Sequence, residues 1–164
     1  MSQRDYPLGP VFDFLQRLWQ LNQGLEKTSS RMVKQLGITA QQRLIIRCVG
    51  KYPGLTAGQL ARLLHLDPGT VSAALKRLER KALLERRKDP RDGRRASLGL
   101  TAEGRLLDAP EAGTVEAAVE NLLATVDAAH LSTATGVLDR LTRFLEADRA
   151  APRQVKPSAT RKAT

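Results

Sequence analysis

Apolar side chains recur at nearly helical spacing through the first part of the chain. Gly37 ends this pattern, which therefore predicts a helix over residues 11–36. The stripe is wider than a single surface helix needs, so we expect the helix to pack against a partner, for example another subunit. Its members are Val11, Phe12, Phe14, Leu15, Leu18, Trp19, Leu21, Leu25, Met32 and Leu36.

Two capping boxes, Thr39-Ala-Gln-Gln42 and Thr56-Ala-Gly-Gln59, predict the starts of two short helices, with a turn at Lys51-Tyr-Pro-Gly54 between them. Asp67 followed by Pro68 predicts the start of a third helix. The expected inward-facing residues are Leu44, Ile45, Cys48 and Val49 in the first helix, Leu60, Ala61, Leu63 and Leu64 in the second, and Val71, Leu75, Leu78 and Ala82 in the third.

Two short strands are predicted after these helices, over residues 83–88 and 96–100. In the second strand Ala96, Leu98 and Leu100 alternate with small residues, as in a half-buried strand. Asp92-Gly93 lies between the strands and is typical of a hairpin turn. Helix, turn, helix and basic hairpin together predict a winged helix-turn-helix.

The remaining chain predicts further helices and then a tail. Thr101 is expected to cap a helix that Pro110 and Gly113 interrupt. The apolar stripe resumes afterwards at Val115, Val119, Leu122 and Val126. Ser132 is expected to cap the last helix, and that helix should have an inner face of Val137, Leu138, Leu141, Phe144 and Leu145. From Asp148 the composition predicts disorder, because it offers almost nothing to bury.

The charge distribution adds a candidate partner. The formal net charge is +10, and residues 51–95 carry 12 Lys/Arg against 5 Asp/Glu, while residues 96–147 carry 3 against 8. A basic region beside an acidic one favours a polyanion-binding face, most often for DNA, although a merely soluble basic protein would also fit. The single cysteine, Cys48, and the absence of a secretory signal or a long apolar run predict a cytoplasmic protein that does not enter a membrane.

The third helix is the candidate for entry into the DNA major groove. With its apolar stripe turned inward, its solvent face begins with small and hydroxyl residues and ends in cations. This face is predicted to contact DNA through Gly69, Thr70, Ser72, Ala73, Lys76, Arg77 and Arg80. Each residue taken singly would equally fit an ordinary solvated helix surface.

At this point the chain resembles the MarR family of bacterial transcriptional regulators. The resemblance spans about residues 55–104, and the hairpin Asp-x-Arg with the following Leu-Thr-x-x-Gly is specific in combination. It rests on Leu60-Ala61, Thr70-Val71-Ser72, Leu78-Glu79, Leu83-Leu84, Arg86, Asp89-Pro90, Asp92-Gly93-Arg94-Arg95, Leu100-Thr101 and Gly104.

The resemblance implies a mainly α protein with a small β-hairpin wing. A winged helix-turn-helix at about 39–100 would be flanked by dimerisation helices at about 11–36 and 101–147. Residues 1–10 would be an N-terminal extension and residues 148–164 a disordered basic tail. Two features depart from the family: Ala82 stands where glycine is frequent, and Pro110 with Gly113 breaks a helix that is often continuous.

The resemblance also implies roles for the hairpin and for a ligand pocket. Asp92 would orient Arg94 into the minor groove, with Arg91 and Arg95 as phosphate contacts. Family members often release DNA when a small aromatic or anionic effector binds, and Trp19 and Arg47 would serve such a pocket. We favour the plainer interpretation, in which Trp19 is core or dimer interface and Arg47 is a surface cation.

Other chemistry finds little support in the sequence. His65 and His130 are far apart and lack neighbouring ligands at metal-binding spacing, and no phosphate loop or nucleophile elbow is present. Cys48 lies in an apolar run and is expected to be a core thiol; oxidant-sensing relatives carry a reactive cysteine near the start of the first helix, and this chain does not. We therefore expect no catalytic site and no cofactor.

The leading hypothesis is a homodimeric, sequence-specific transcriptional regulator that binds double-stranded DNA. We expect it to be a ligand-responsive repressor with a pseudo-palindromic operator. A winged-helix protein-interaction module and a non-specific nucleoid-binding protein are the alternatives.

Overall fold

The computed structural model describes residues 9–88 and 96–150, with side chains through Ala147. The helices and strands, in chain order, are α1 (Gly9–Leu36), α2 (Ala40–Lys51), α3 (Ala57–Leu64), α4 (Pro68–Arg80), β1 (Leu84–Lys88), β2 (Ala96–Leu100), α5 (Ala102–Leu106), α6 (Val115–Leu123) and α7 (Ala128–Ala150). The fold is mainly helical with a two-stranded hairpin, as predicted.

The helix starts of the central region follow local side-chain chemistry. Thr39 and Thr56 accept hydrogen bonds from the backbone N–H of Gln42 and Gln59, and each glutamine accepts one in return, so both predicted capping boxes are confirmed. Asp67 accepts from the first turn of α4, and Pro68 occupies the first helical position. These three starts are predictable because every partner lies within three residues.

A single core joins α2, α3, α4 and the hairpin. Ile45 and Ile46 of α2, Leu60 of α3 and Leu75 of α4 are fully buried. We call this packed assembly the winged lobe. The strands pair antiparallel with Leu84 opposite Leu100, and Leu98 donates to the carbonyl of Leu55 at 2.7 Å, which ties β2 to the chain ahead of α3.

The Leu-Thr-x-x-Gly sequence closes the lobe behind the hairpin. The hydroxyl of Thr101 donates to the carbonyl of Ala82 at 2.6 Å, and it accepts from the N–H of Gly104 at 3.0 Å. A Cβ added at Gly104 would lie 1.9 Å from the carbonyl oxygen of Leu83. Glycine is therefore required where α5 passes this backbone, because any side chain would collide with it.

Three predicted inward-facing residues are exposed instead. Leu44 and Leu63 are 46% and 44% exposed. Ala82 lies beyond the end of α4, exposed and with φ of +53°, because the chain reverses there in the left-handed conformation that glycine favours. The interior of α2 is completed by Ile46 and, unexpectedly, by Arg43.

The helix after Thr101 is interrupted, as the sequence predicts. It ends at Leu106, before Pro110, and α6 begins only at Val115, after Gly113 with φ of +74°. Val119 and Leu122 are exposed and Val126 lies between α6 and α7, so the predicted stripe does not form a buried face in the single chain.

The described chain divides after Val119 into two compact units. In the second unit the prediction that Ser132 caps the last helix is wrong: α7 begins at Ala128, and the Asp127 carboxylate accepts from the N–H of His130 at 2.9 Å. The helix continues to Ala150, past the predicted boundary at Asp148, and the rest of the predicted tail lies outside the described residues.

Candidate nucleic-acid interface

The outer face of α4 carries the predicted contact residues. Val71, Leu75 and Leu78 are at most 1% exposed and fix the rotation of the helix on the lobe. This rotation turns the opposite side outward. Ser72 is half-buried there, and the other predicted residues are exposed: Gly69, Thr70, Ala73, Lys76, Arg77 and Arg80. The structure thus places all seven along one outward side of one helix.

Charge is distributed unevenly along this face. Its first turn presents glycine, hydroxyl and methyl groups, which allow close approach to a surface, and its last turn carries cations. Among the described residues, neither Lys76 nor Arg77 pairs with a carboxylate, whereas Arg86 of β1 is held by Glu79 at 2.6 Å. Within the described residues, Lys76 and Arg77 have no ion pair that would have to break before they reach an external anion.

The hairpin supports only part of the predicted wing. β1 and β2 are described, and Arg87 at the outer part of β1 pairs with Glu85 at 2.6 Å. The predicted wing residues Arg91, Asp92, Arg94 and Arg95 lie outside the described residues.

Trp19 and Arg47 are not brought together in one cavity. Arg47 lines an open cavity of about 520 Å³ with Lys51 and Asp108, and its guanidinium pairs with Asp108 at 3.0 Å. Trp19 does not line this cavity and is 63% exposed on α1.

Cys48 lines the same cavity but packs against the lobe core. Burial raises the pKa of its thiol, and the positive charge of Lys51 opposes that shift. The thiolate is the nucleophilic form, so this environment agrees with the prediction of an unreactive core thiol.

Arg43 is the principal residue that sequence reasoning missed. Its side chain is 1% exposed, yet it lies on α2 among apolar positions. Its nitrogens meet the carbonyls of Leu107 and Ala109 and the carboxylate of Glu116. No local sequence pattern predicts the burial of Arg43, because its partners lie 64 to 73 residues away.

Comparison with known proteins finds similarity to one family of regulators. A family model described as the MarR family matches residues 36–95, which include α2, α3, α4 and β1 but not β2. Over these residues the chain is similar to the MarR family. An organic hydroperoxide resistance transcriptional regulator of Bacillus subtilis is 30% identical over 90 residues, covering 55% of this chain and 61% of that relative. The Mycobacterium bovis repressor Mb2911 is 28% identical over 137 residues, covering 84% and 94%.

Solved structures are similar to this chain over a longer span. The Staphylococcus aureus MepR–DNA complex matches with a TM-score of 0.64 at 25% identity, covering 82% of this chain and 97% of MepR. The Streptomyces coelicolor regulator PcaV in complex with its natural ligand gives 0.62 at 25%, covering 87% and 98%. The Bacillus subtilis relative and PcaV are named as transcriptional regulators, and Mb2911 is named as a transcriptional repressor.

Two further observations concern the described residues of this chain. Across residues 9–88 and 96–150, every helix is too short or too polar to cross a lipid bilayer. Within the same part of the chain, no three His, Cys, Asp or Glu residues are grouped to hold a metal ion.

Proposed function

We propose that this chain is a transcriptional regulator of the MarR type, a repressor that binds double-stranded DNA sequence-specifically as a homodimer. The observation that carries the proposal is the outer face of α4, where small and hydroxyl groups precede cations on a helix anchored by three buried residues. An α-helix fits the major groove, and such a face provides both close approach and hydrogen-bond donors. MepR, a relative of the same fold, is known in complex with DNA.

In this proposal the residues divide by the information that they read. Ser72, Ala73 and Lys76 approach base edges, while Thr70, Arg77 and Arg80 contact phosphates at the margins of the groove. Arg94, oriented by Asp92, enters the adjacent minor groove, with Arg91 and Arg95 on phosphates. The minor-groove contact adds affinity and little sequence discrimination, since its hydrogen-bonding pattern is degenerate.

The homodimer is supported by apolar surface that the single chain leaves uncovered. On α1, Val11, Phe12 and Trp19 are 61–67% exposed, and on α7, Phe144 and Leu145 are 68% and 62% exposed. Exposed apolar surface on this scale is typical of an interface. A two-fold dimer presents two copies of α4 and therefore selects a pseudo-palindrome with half-sites ~10 base pairs apart.

A small ligand is proposed to release the DNA. The relative PcaV has a natural ligand, and in this chain Lys51 and the Arg47–Asp108 ion pair line one cavity, where an anionic compound would compete with Asp108 for Arg47. The proposed place of action is the cytoplasm, where the DNA of a bacterial regulator lies.

The test is selection of bound duplexes from a random library, followed by affinity measurements at fixed salt. We expect one pseudo-palindromic site, bound at least ~10³-fold more tightly than random DNA. Lys76→Ala should change which half-site bases are preferred, whereas Arg94→Ala should weaken binding to most sequences alike. Glu103→Ala, an exposed change on α5, serves as control.

Other outcomes point elsewhere. Binding that falls steeply with salt and shows no preferred site would indicate a non-specific nucleoid protein. An absence of DNA binding would favour a protein-interaction module. Selected sites without two-fold symmetry would contradict the dimeric arrangement.

A further inference from the structure

Arg43 links α2 to the segment that follows α5. Its Nη1 donates to the carbonyl of Leu107 at 2.8 Å, its Nη2 donates to the carbonyl of Ala109 at 2.7 Å, and its Nε pairs with Glu116. One guanidinium thus contacts the residue that follows α5, the non-helical segment between α5 and α6, and the first turn of α6.

Because the Arg43 guanidinium is buried, it depends on these three protein partners for its hydrogen bonds. Removing a charge from water is costly unless its hydrogen bonds are replaced, and here each guanidinium nitrogen has a protein partner. The guanidinium is planar and its donors have fixed directions, so it holds its acceptors in one relative arrangement. A flexible ammonium in its place would hold fewer of them.

The segment that Arg43 holds has no regular secondary structure. Pro110 has no N–H to donate, Gly113 adopts a positive φ, and residues between Leu106 and Val115 form no helix. Additional contacts secure the same stretch: Arg47 pairs with Asp108 at 3.0 Å, and buried Thr114 caps α6 by accepting from the N–H of Ala117 at 3.3 Å.

Both sides of the link matter for DNA binding. α2 shares its core with α4, since Ile45, Ile46 and Leu75 belong to one buried cluster. The first turn of α6 is therefore fixed relative to the proposed DNA-reading helix. The chain continues from α6 into α7, whose exposed apolar side is part of the proposed dimer surface.

We propose that Arg43 is a positioning residue that fixes the junction between α5 and α6 to the winged lobe and thereby sets the spacing of the two half-sites. This inference rests on the proposed function. A rigid junction holds the two copies of α4 at one separation, so the dimer accepts one spacing. A loosened junction lets each lobe find its half-site independently, so several spacings become acceptable.

The test compares Arg43→Met with Arg47→Met on duplexes whose half-sites are moved apart or together by one and two base pairs. For Arg43→Met we expect the preference for the best spacing to fall about tenfold while affinity for a single half-site stays within about twofold. Hydrogen exchange of amides in residues 107–117 should quicken, and exchange in α4 should not. Arg47→Met, which loses one partly exposed ion pair, should show smaller changes.

Each outcome has a defined meaning. If the wild-type protein prefers one spacing and Arg43→Met keeps that preference, Arg43 has no positioning role. If the wild-type protein selects no site, the proposed function fails, and the spacing role fails with it. If Arg43→Met does not fold, Glu116→Gln replaces it, because this variant keeps both carbonyl contacts: a smaller relaxation of spacing is expected, and an unchanged profile overturns the proposal.

Discussion

The apolar residues of α4 are buried, whereas those of α7 are largely exposed. In α4, the side chains of Val71, Leu75 and Leu78 pack inside the same chain and are at most 1% exposed. In α7, Val137, Leu138, Phe144 and Leu145 recur at helical spacing but remain 44–68% exposed. The same periodicity therefore identifies an apolar face in both helices without saying what covers it. One face stabilises the fold of a single chain, and the other is available to a partner.

The largest effect should follow from deleting a covered side chain. Leu75→Ala removes a fully buried group from the lobe core and should lower the free energy of unfolding by about 2–5 kcal/mol. Leu138→Ala is the matched change on α7, and its cost should be small in dilute protein and grow with concentration as dimers form. Urea unfolding at two protein concentrations measures both. Equal losses for the two variants in dilute protein would contradict the distinction.

Replacing glycine by alanine should destabilise the winged lobe but stabilise α7. Gly104→Ala places a Cβ against the Leu83 carbonyl and should destabilise the lobe by about 1–3 kcal/mol. Gly136→Ala in α7 meets no atom within 4 Å and should stabilise that helix by about 0.5–1 kcal/mol, because alanine loses less backbone entropy. Thermal unfolding followed by circular dichroism reports both. A neutral Gly104→Ala would show that α5 does not need its close approach.

A charge on the exposed side of α7 should weaken association without unfolding the lobe. Phe144→Arg places a cation on a proposed dimer surface and should raise the dimer dissociation constant at least tenfold, a cost of about 1.4 kcal/mol. Thr142→Arg, an exposed polar position on the same helix, is the control and should associate normally if the apolar side alone forms the interface. Sedimentation velocity measures both. An unchanged dimer in Phe144→Arg would place the interface elsewhere.

The sequence predicted the features that depend on near neighbours. Thr39, Thr56 and Asp67 each accept from an N–H two or three residues away, so short motifs suffice to find them. Arg43 was missed because a cation in a helix usually faces water, and only the folded chain brings the carbonyls of Leu107 and Ala109 to it.

The start of α7 shows that local signals also compete. Asp127 and Ser132 both have side chains that can cap a helix. The apolar residues that follow Ser132 favour it as the predicted cap. Starting at Ala128 adds the five residues 128–132 to the helix, and Asp127 satisfies the N–H of His130. Propensity alone does not rank two such starts, because the additional helical hydrogen bonds decide between them.

The smallest effect concerns the pH dependence of this cap. The pKa of Asp127 lies below its ordinary value, because its carboxylate accepts from the N–H of His130 and contacts the imidazole at 2.5 Å. A carboxylate whose folded pKa is lowered stabilises the fold above its unfolded pKa, and that contribution disappears as the pH falls through the folded pKa. We therefore expect the start of α7 to fray selectively in acid, below the ordinary carboxyl range.

Asp127→Asn retains a capping side chain but has no charge to lose, so it should remove this acid-dependent step. NMR titration of the Asp127 carboxyl signal, with the His130 amide as reporter, measures the effect in the wild-type protein. An Asp127 that titrates at its ordinary pKa, or an equal acid response in Asp127→Asn, would show that the carboxylate does not hold the start of α7.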